Sequence, residues 1–161
     1  MDATTFTEIT ERIESLPDFK WVDLEQGQLD VVDEQQAFDY PACFIGIEDI
    51  PWKTAAGRYI QQGDLLLNVR VAWKTYEETF KGSSNKAGAL AKLGLLTTVF
   101  VKLQGFEGTY FNQLTRVRTF REKRTDGLDV YNMQFLCSIT DNSAYTPNDQ
   151  PLNSFNITQT P

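Results

Sequence analysis

Apolar positions recur along this chain with two periods, and the switches between them lay out its elements. Thr5 followed by Glu8 has the form of a capping box, and Phe6, Ile9, Ile13 and Leu16 then share one face of a helix that Pro17 stops. Phe19 to Leu24 reads as a short strand, Gln26-Gly27-Gln28 as a turn, and residues 25–40 as an acidic, irregular connection or edge. From Ala42 to Asp49, Cys43, Ile45 and Ile47 alternate with Phe44, Gly46 and Glu48, the period of a strand. The run from Ile50 to Gln62, rich in Gly, Ala and polar residues, predicts a long hairpin loop. Leu65, Leu67, Val69, Val71 and Trp73 then occupy one side of the clearest strand, with Asn68, Arg70 and Lys74 opposite, a pattern of one buried and one wet face.

After Lys81-Gly82-Ser83-Ser84, a serine able to cap opens a second helix, along which Ala89, Leu93, Leu96, Phe100 and Leu103 form a stripe. Gly105 closes it. Leu114 to Lys123 and Leu128 to Thr140 make a hairpin turning at Asp126-Gly127, with Tyr131, Met133, Phe135, Cys137 and Ile139 pointing inward. The expected fold class is therefore α+β: an antiparallel sheet of about five strands with two helices packed on it, in the order α-β-β-β-α-β-β. Residues 1–140 form the expected single domain, and 141–161, dominated by Pro, Asn, Ser, Thr and Gln, an extended polar C-terminal tail.

Composition narrows the chemistry. The 161 residues include 11 Phe, 6 Tyr and 3 Trp, enough bulky side chains for one core. There is no histidine, which removes the commonest general base and metal ligand together. Cys43 and Cys137 each sit inside an apolar run, the setting of buried reduced thiols rather than of a metal pair or a secreted disulfide framework. No phosphate-cradling glycine motif follows a strand, and none of the acidic pairs has metal-loop spacing. Glu48 with Asp49, beside Trp52, is the best place for a carboxylate site, and a solvated strand end is the simpler reading of it. No catalytic residue, cofactor or metal is expected. The chain lacks an apolar run long enough to span a membrane and lacks a signal-like start, so it is expected to be soluble and cytoplasmic.

Charge adds one more feature. The net charge of −7 argues against a dedicated nucleic-acid binder. Residues 1–50 carry 2 basic and 13 acidic side chains, a balance of −11, and residues 51–161 carry 13 basic and 9 acidic, a balance of +4. Arg116, Arg118, Arg121, Lys123 and Arg124 concentrate positive charge on one hairpin, with Arg116 and Arg118 expected on the same side as Phe120. Three readings stand: a solvated or edge-protecting strand; a subunit contact with the acidic 23–39 segment of a second copy, through Asp23, Glu25, Asp33 and Glu34; or a passing contact with DNA. A head-to-tail contact between unlike patches closes into a ring when the rotation permits.

The N-terminal helix, YPACFIGIED, GDLLLNVRVAWKTY, the helix ending in KLQGF, and the arginine-bearing strand turning through DGLDVYNMQFLCSI follow one another between Thr5 and Thr140. In that order they resemble the tail-terminator or tail-completion proteins of long-tailed bacteriophages and prophages. The resemblance implies a homo-oligomeric ring, commonly a hexamer, at the head-proximal end of the tail tube. There it stops tube growth and meets the tail-tube protein and the head connector, with charges facing a DNA-filled lumen. It implies an exposed hairpin loop, matched by Ile50 to Gln62, so that Trp52, Lys53, Arg58 and Tyr59 are the expected contacts to tail or connector. It also implies a place in the bacterial host cytoplasm during assembly and in the virion tail afterwards. The competing reading from another class is a small-ligand or peptide-binding module lined by Trp52, Tyr59, Phe106, Tyr110 and Phe111.

Overall fold

Alternation centred on Leu67 and Val69 builds the strand around which the sheet assembles. The structure, a computed structural model, describes residues 3–30, 38–56, 58–74 and 80–145. Its elements are α1 (Ala3–Glu14), β1 (Trp21–Leu24), β2 (Ala42–Ile47), β3 (Trp52–Ala56), β4 (Ile60–Lys74), α2 (Lys86–Leu103), β5 (Thr115–Arg121) and β6 (Leu128–Asp141). They form an α+β fold with one six-stranded sheet in the order β1-β2-β4-β6-β5, and β3 pairs β4 off that path.

Two features differ from the sequence reading. The sheet is mixed, because β1 runs parallel to β2 with Trp21 opposite Ala42 and Leu24 opposite Ile45. A parallel neighbour needs a crossover of roughly a dozen residues, and the connection through 25–41 provides one. The second difference is an added strand. Pro51 interrupts β2 only briefly: the Glu48 N–H donates to the Leu66 carbonyl (3.2 Å), the Leu66 N–H to the Asp49 carbonyl (3.3 Å), and β3 resumes pairing with Trp52 opposite Gly63. The stretch expected as a loop is thus mostly hairpin, with β2 and β3 lying end to end along β4. Gly63 is required there, since a Cβ would stand 2.5 Å from Ile50 Cγ2 and 3.1 Å from the Trp52 ring.

Both helices cover one face. Ile9 and Ile13 of α1 and Leu95, Val99 and Leu103 of α2 bury against Cys43, Ile45, Leu65, Leu67, Val69, Val71, Met133, Phe135 and Ile139. Helix α1 begins at Ala3, so Thr5 is not its cap but a fully buried residue of the inward stripe Thr5, Ile9, Ile13. Glu8, one turn on, accepts the Thr109 N–H instead (3.0 Å). In α2 the buried stripe is Leu95, Val99 and Leu103; Leu96 and Phe100 are half-buried and Leu93 is exposed, about one residue's rotation from the expected stripe. Asn85 precedes α2 without a side-chain cap, and Gly105 follows it at φ +76°, the left-handed turn expected of it.

The opposite face of the sheet is not simply wet. The connection after β1 folds over it, and Leu29, Ala42, Phe44, Ala72, Leu128 and Val130 form a second core flanked by Phe38 and Tyr40. The Phe38 ring meets Phe44 edge-on at 5.2 Å. Asn68 and Arg70, expected in solvent, are therefore buried, Arg70 to 8% exposure.

Candidate functional site

Arg70 projects from the middle of β4 on the second face, opposite Phe44 of β2 and Asn132 of β6. A buried guanidinium needs anions, and three approach it: Glu25 at 3.0 Å, Asp30 at 2.9 Å, and both Glu122 oxygens, at 2.8 Å each from Nε and Nη2. Burial opposes its charge, yet the hydrogen bonds it donates to Glu122 and Asp30 raise its pKa above the ordinary arginine value. Arg124 extends the cluster, pairing with Asp126 and reaching Glu122 at 3.5 Å and Asp30 at 3.7 Å, while its Nη2 donates to the Leu29 carbonyl. Hydrogen bonding to Arg70 holds the Asp30 carboxyl below its usual range, and the bond from Arg124 does the same for Asp126. This cluster straps the 25–30 segment and the β5–β6 turn onto the sheet.

The basic hairpin and the acidic segment, expected to meet between copies, thus meet within one chain at Arg124 and Asp30. Arg121 also pairs internally, with Asp129 across the hairpin. The other basic side chains differ. A bulge between Arg116 and Arg118 puts Arg116 opposite Phe135 and Arg118 opposite Gln134, on opposite faces, which corrects the expectation that both lie beside Phe120. Arg116 covers the Phe100 ring on α2 at 3.8 Å, and Arg118 lies over Phe120 at 4.6 Å. Among the described residues Arg116, Arg118 and Lys123 are exposed and form no ion pair. Asp23 is half-buried on the edge strand β1, its carboxylate accepting the Leu24 N–H. Asp33 and Glu34 lie outside the described residues.

The β3–β4 hairpin carries the other expected contacts. Lys53 and Arg58 are exposed, Tyr59 is half-buried under the Arg58 guanidinium at 5.2 Å, and Trp52 packs half-buried against the main core. Of the five aromatics expected to line a ligand pocket, Trp52 and Tyr110 border a hollow of about 230 Å³ together with Thr5, Ile139, Asp141 and Ser143. Phe111 is buried in the main core instead, with Phe106 edge-on to it at 5.6 Å. Glu48 accepts a hydrogen bond from Asn68, and Asp49 is exposed. Among the described residues no three acids or cysteines stand close enough together to hold a metal ion. Strand β4 separates Cys43 from Cys137; both thiols are free, and burial raises the pKa of Cys137 to about 11 and that of Cys43 further.

One surface escaped the sequence reading. Leu90, Leu93 and Val101 of α2 are exposed on the side away from the sheet, and Phe80 is exposed just before the helix. The signal was present: between Lys86 and Leu103 apolar residues fall on every side of the helix, a composition suited to a helix covered all round. The chain matches no protein-family model and no curated protein. Among the described residues no helix is long and apolar enough to cross a membrane.

Proposed function

We propose that the chain is a structural subunit of a phage or prophage tail, assembling with copies of itself into a ring that caps the tail tube and joins it to the head connector. The observation that carries the self-assembly part is α2, whose outer side exposes Leu90, Leu93 and Val101 although its inner side already fills the core. The tail assignment rests on the resemblance of the segments between Thr5 and Thr140. The β3–β4 hairpin, with Arg58 and Tyr59 at its turn and Lys53 near the start of β3, offers a surface to tube or connector, and Arg116, Arg118 and Lys123 offer charge to a neighbour or to passing DNA. Such a subunit works in the host cytoplasm during assembly and in the virion tail afterwards.

The test is to polymerise a candidate tail-tube protein with and without this chain and image the products by negative-stain electron microscopy. Arrested tubes bearing a terminal ring support the proposal, whereas tubes of unchanged length and bare ends count against it. The ligand-binding reading is favoured by one observation, the buried Thr5 hydroxyl, which has no hydrogen-bond partner among the described residues and belongs to a residue that borders the hollow beside Trp52 and Tyr110. Trp52 emission that shifts with a small polar ligand, in a chain that stays monomeric, would favour that reading instead.

A further inference from the structure

Residues 25–30 lie on the second face of the sheet as a body bonded largely to itself. The Gln26 N–H donates to the Gln28 side-chain oxygen (2.6 Å), the Gly27 N–H to Glu25 Oε1 (2.8 Å) and the Asp30 N–H to the Gly27 carbonyl (2.9 Å). The Glu25 N–H instead reaches the sheet, at the Ile45 carbonyl of β2 (2.9 Å). Gly46 makes room for the segment, since a Cβ there would stand 3.1 Å from Glu25 Cβ.

Charge, more than apolar burial, holds this body down. Of the six buried residues described in the second core, one, Leu29, comes from the segment. Ion pairs from Arg70 to Glu25 and Asp30 and the Arg124 hydrogen bond to the Leu29 carbonyl supply the rest, and the Asp30 side chain is 62% exposed, so water screens its pair. Docking also carries a cost. Glu25 Oε2 and Asn68 Oδ1 are buried without a hydrogen-bond partner among the described residues, and both side chains flank Gly46, so lifting Glu25 returns these acceptors to water. A segment with one buried apolar side chain, internal backbone bonds and orphaned acceptors at its contact opens far more readily than a core strand.

We propose that residues 25–30 are a latch that lifts off the sheet while the main core stays folded, uncovering Phe44, Leu128 and Val130 beside the Arg70 guanidinium. Lifting frees Arg70 from Glu25 and Asp30 and leaves it paired with Glu122. The opened face then combines a cation with apolar side chains, whereas the closed face hides both.

Thiol labelling of the full chain tests the latch, because Cys43 lies in the main core and reports on that face. Val130→Cys places a second thiol in the other core, and iodoacetamide modification at each site is followed by mass spectrometry. Labelling of Val130→Cys about a hundredfold faster than of Cys43 is expected. Adding Gly46→Val, whose side chain wedges against Glu25, should raise the first rate about tenfold and leave the second unchanged. Equal rates at the two cysteines overturn the proposal, as does a wedge that accelerates both alike. Native-state hydrogen exchange of the wild type gives the same test without substitution: the Glu25 amide should exchange about a hundredfold faster than that of Val69, and with little dependence on low urea. Exchange of both amides at one rate with one urea dependence would show that the two faces open only together, and the latch would be abandoned.

Discussion

The Arg70 guanidinium lies 3.0 Å from the Glu25 carboxylate, joining the centre of the sheet to the start of the connection that covers its second face. Arg70 also reaches Asp30 and Glu122, so one buried cation holds two separate segments, 25–30 and the β5–β6 turn, onto the sheet. Arg70→Met removes the cation and leaves two half-buried carboxylates facing each other. A loss of about 3 kcal/mol is expected, in the range for breaking a buried pair from one side, read as a lower urea midpoint.

That loss depends on pH. The pKa of Asp30 is lowered in the folded chain chiefly by the hydrogen bond from Arg70, so its contribution is fully present above the ordinary carboxylate pKa of about 3.9 and fades as pH falls toward the lowered value. The stability difference between wild type and Arg70→Met should therefore be constant from pH 8 to 5 and shrink below about pH 4. A difference independent of pH down to 2.5 would show that Arg70 contributes nothing through the Asp30 carboxylate.

Gly63→Ala tests the extended hairpin. The added methyl group meets Ile50 and the Trp52 ring, so a loss of about 1–3 kcal/mol and a shift in tryptophan emission are expected. If residues 50–62 were an open loop, the substitution would be neutral.

The two sides of α2 should respond oppositely to truncation. Leu95→Ala empties a core position and should lower stability by about 2–4 kcal/mol, whereas Leu90→Ala should change the stability of the isolated subunit by less than about 0.5 kcal/mol. Chemical denaturation at submicromolar concentration, where association is weakest, separates these values.

Strands β2, β4, β5 and β6, both helices and their placement on one face were legible because period-two and period-four patterns report burial on a single face. Strand β3 was not legible: Trp52, Lys53 and Thr54 lack a clean alternation, and their pairing is decided by β4 across the hairpin rather than by local propensity. The second face was misread for a related reason. Arg70 and Asn68 look like solvent residues, and only the tertiary return of Leu29, Phe38 and Tyr40 over the sheet buries them. The bulge at Val117, which divides Arg116 from Arg118, leaves no mark in the pattern of residue types. Charge opposition between the two parts of the chain was real in the sequence, but distance along the chain could not tell whether Arg124 met the Asp30 of its own chain or of another.

The central claim is self-association, and sedimentation velocity of the wild-type chain from about 1 to 100 µM at physiological salt tests it most directly. The expected result is a discrete species several times the 18.4 kDa chain mass that gives closed rings in the electron microscope. A single 18.4 kDa species across the whole range would contradict the account.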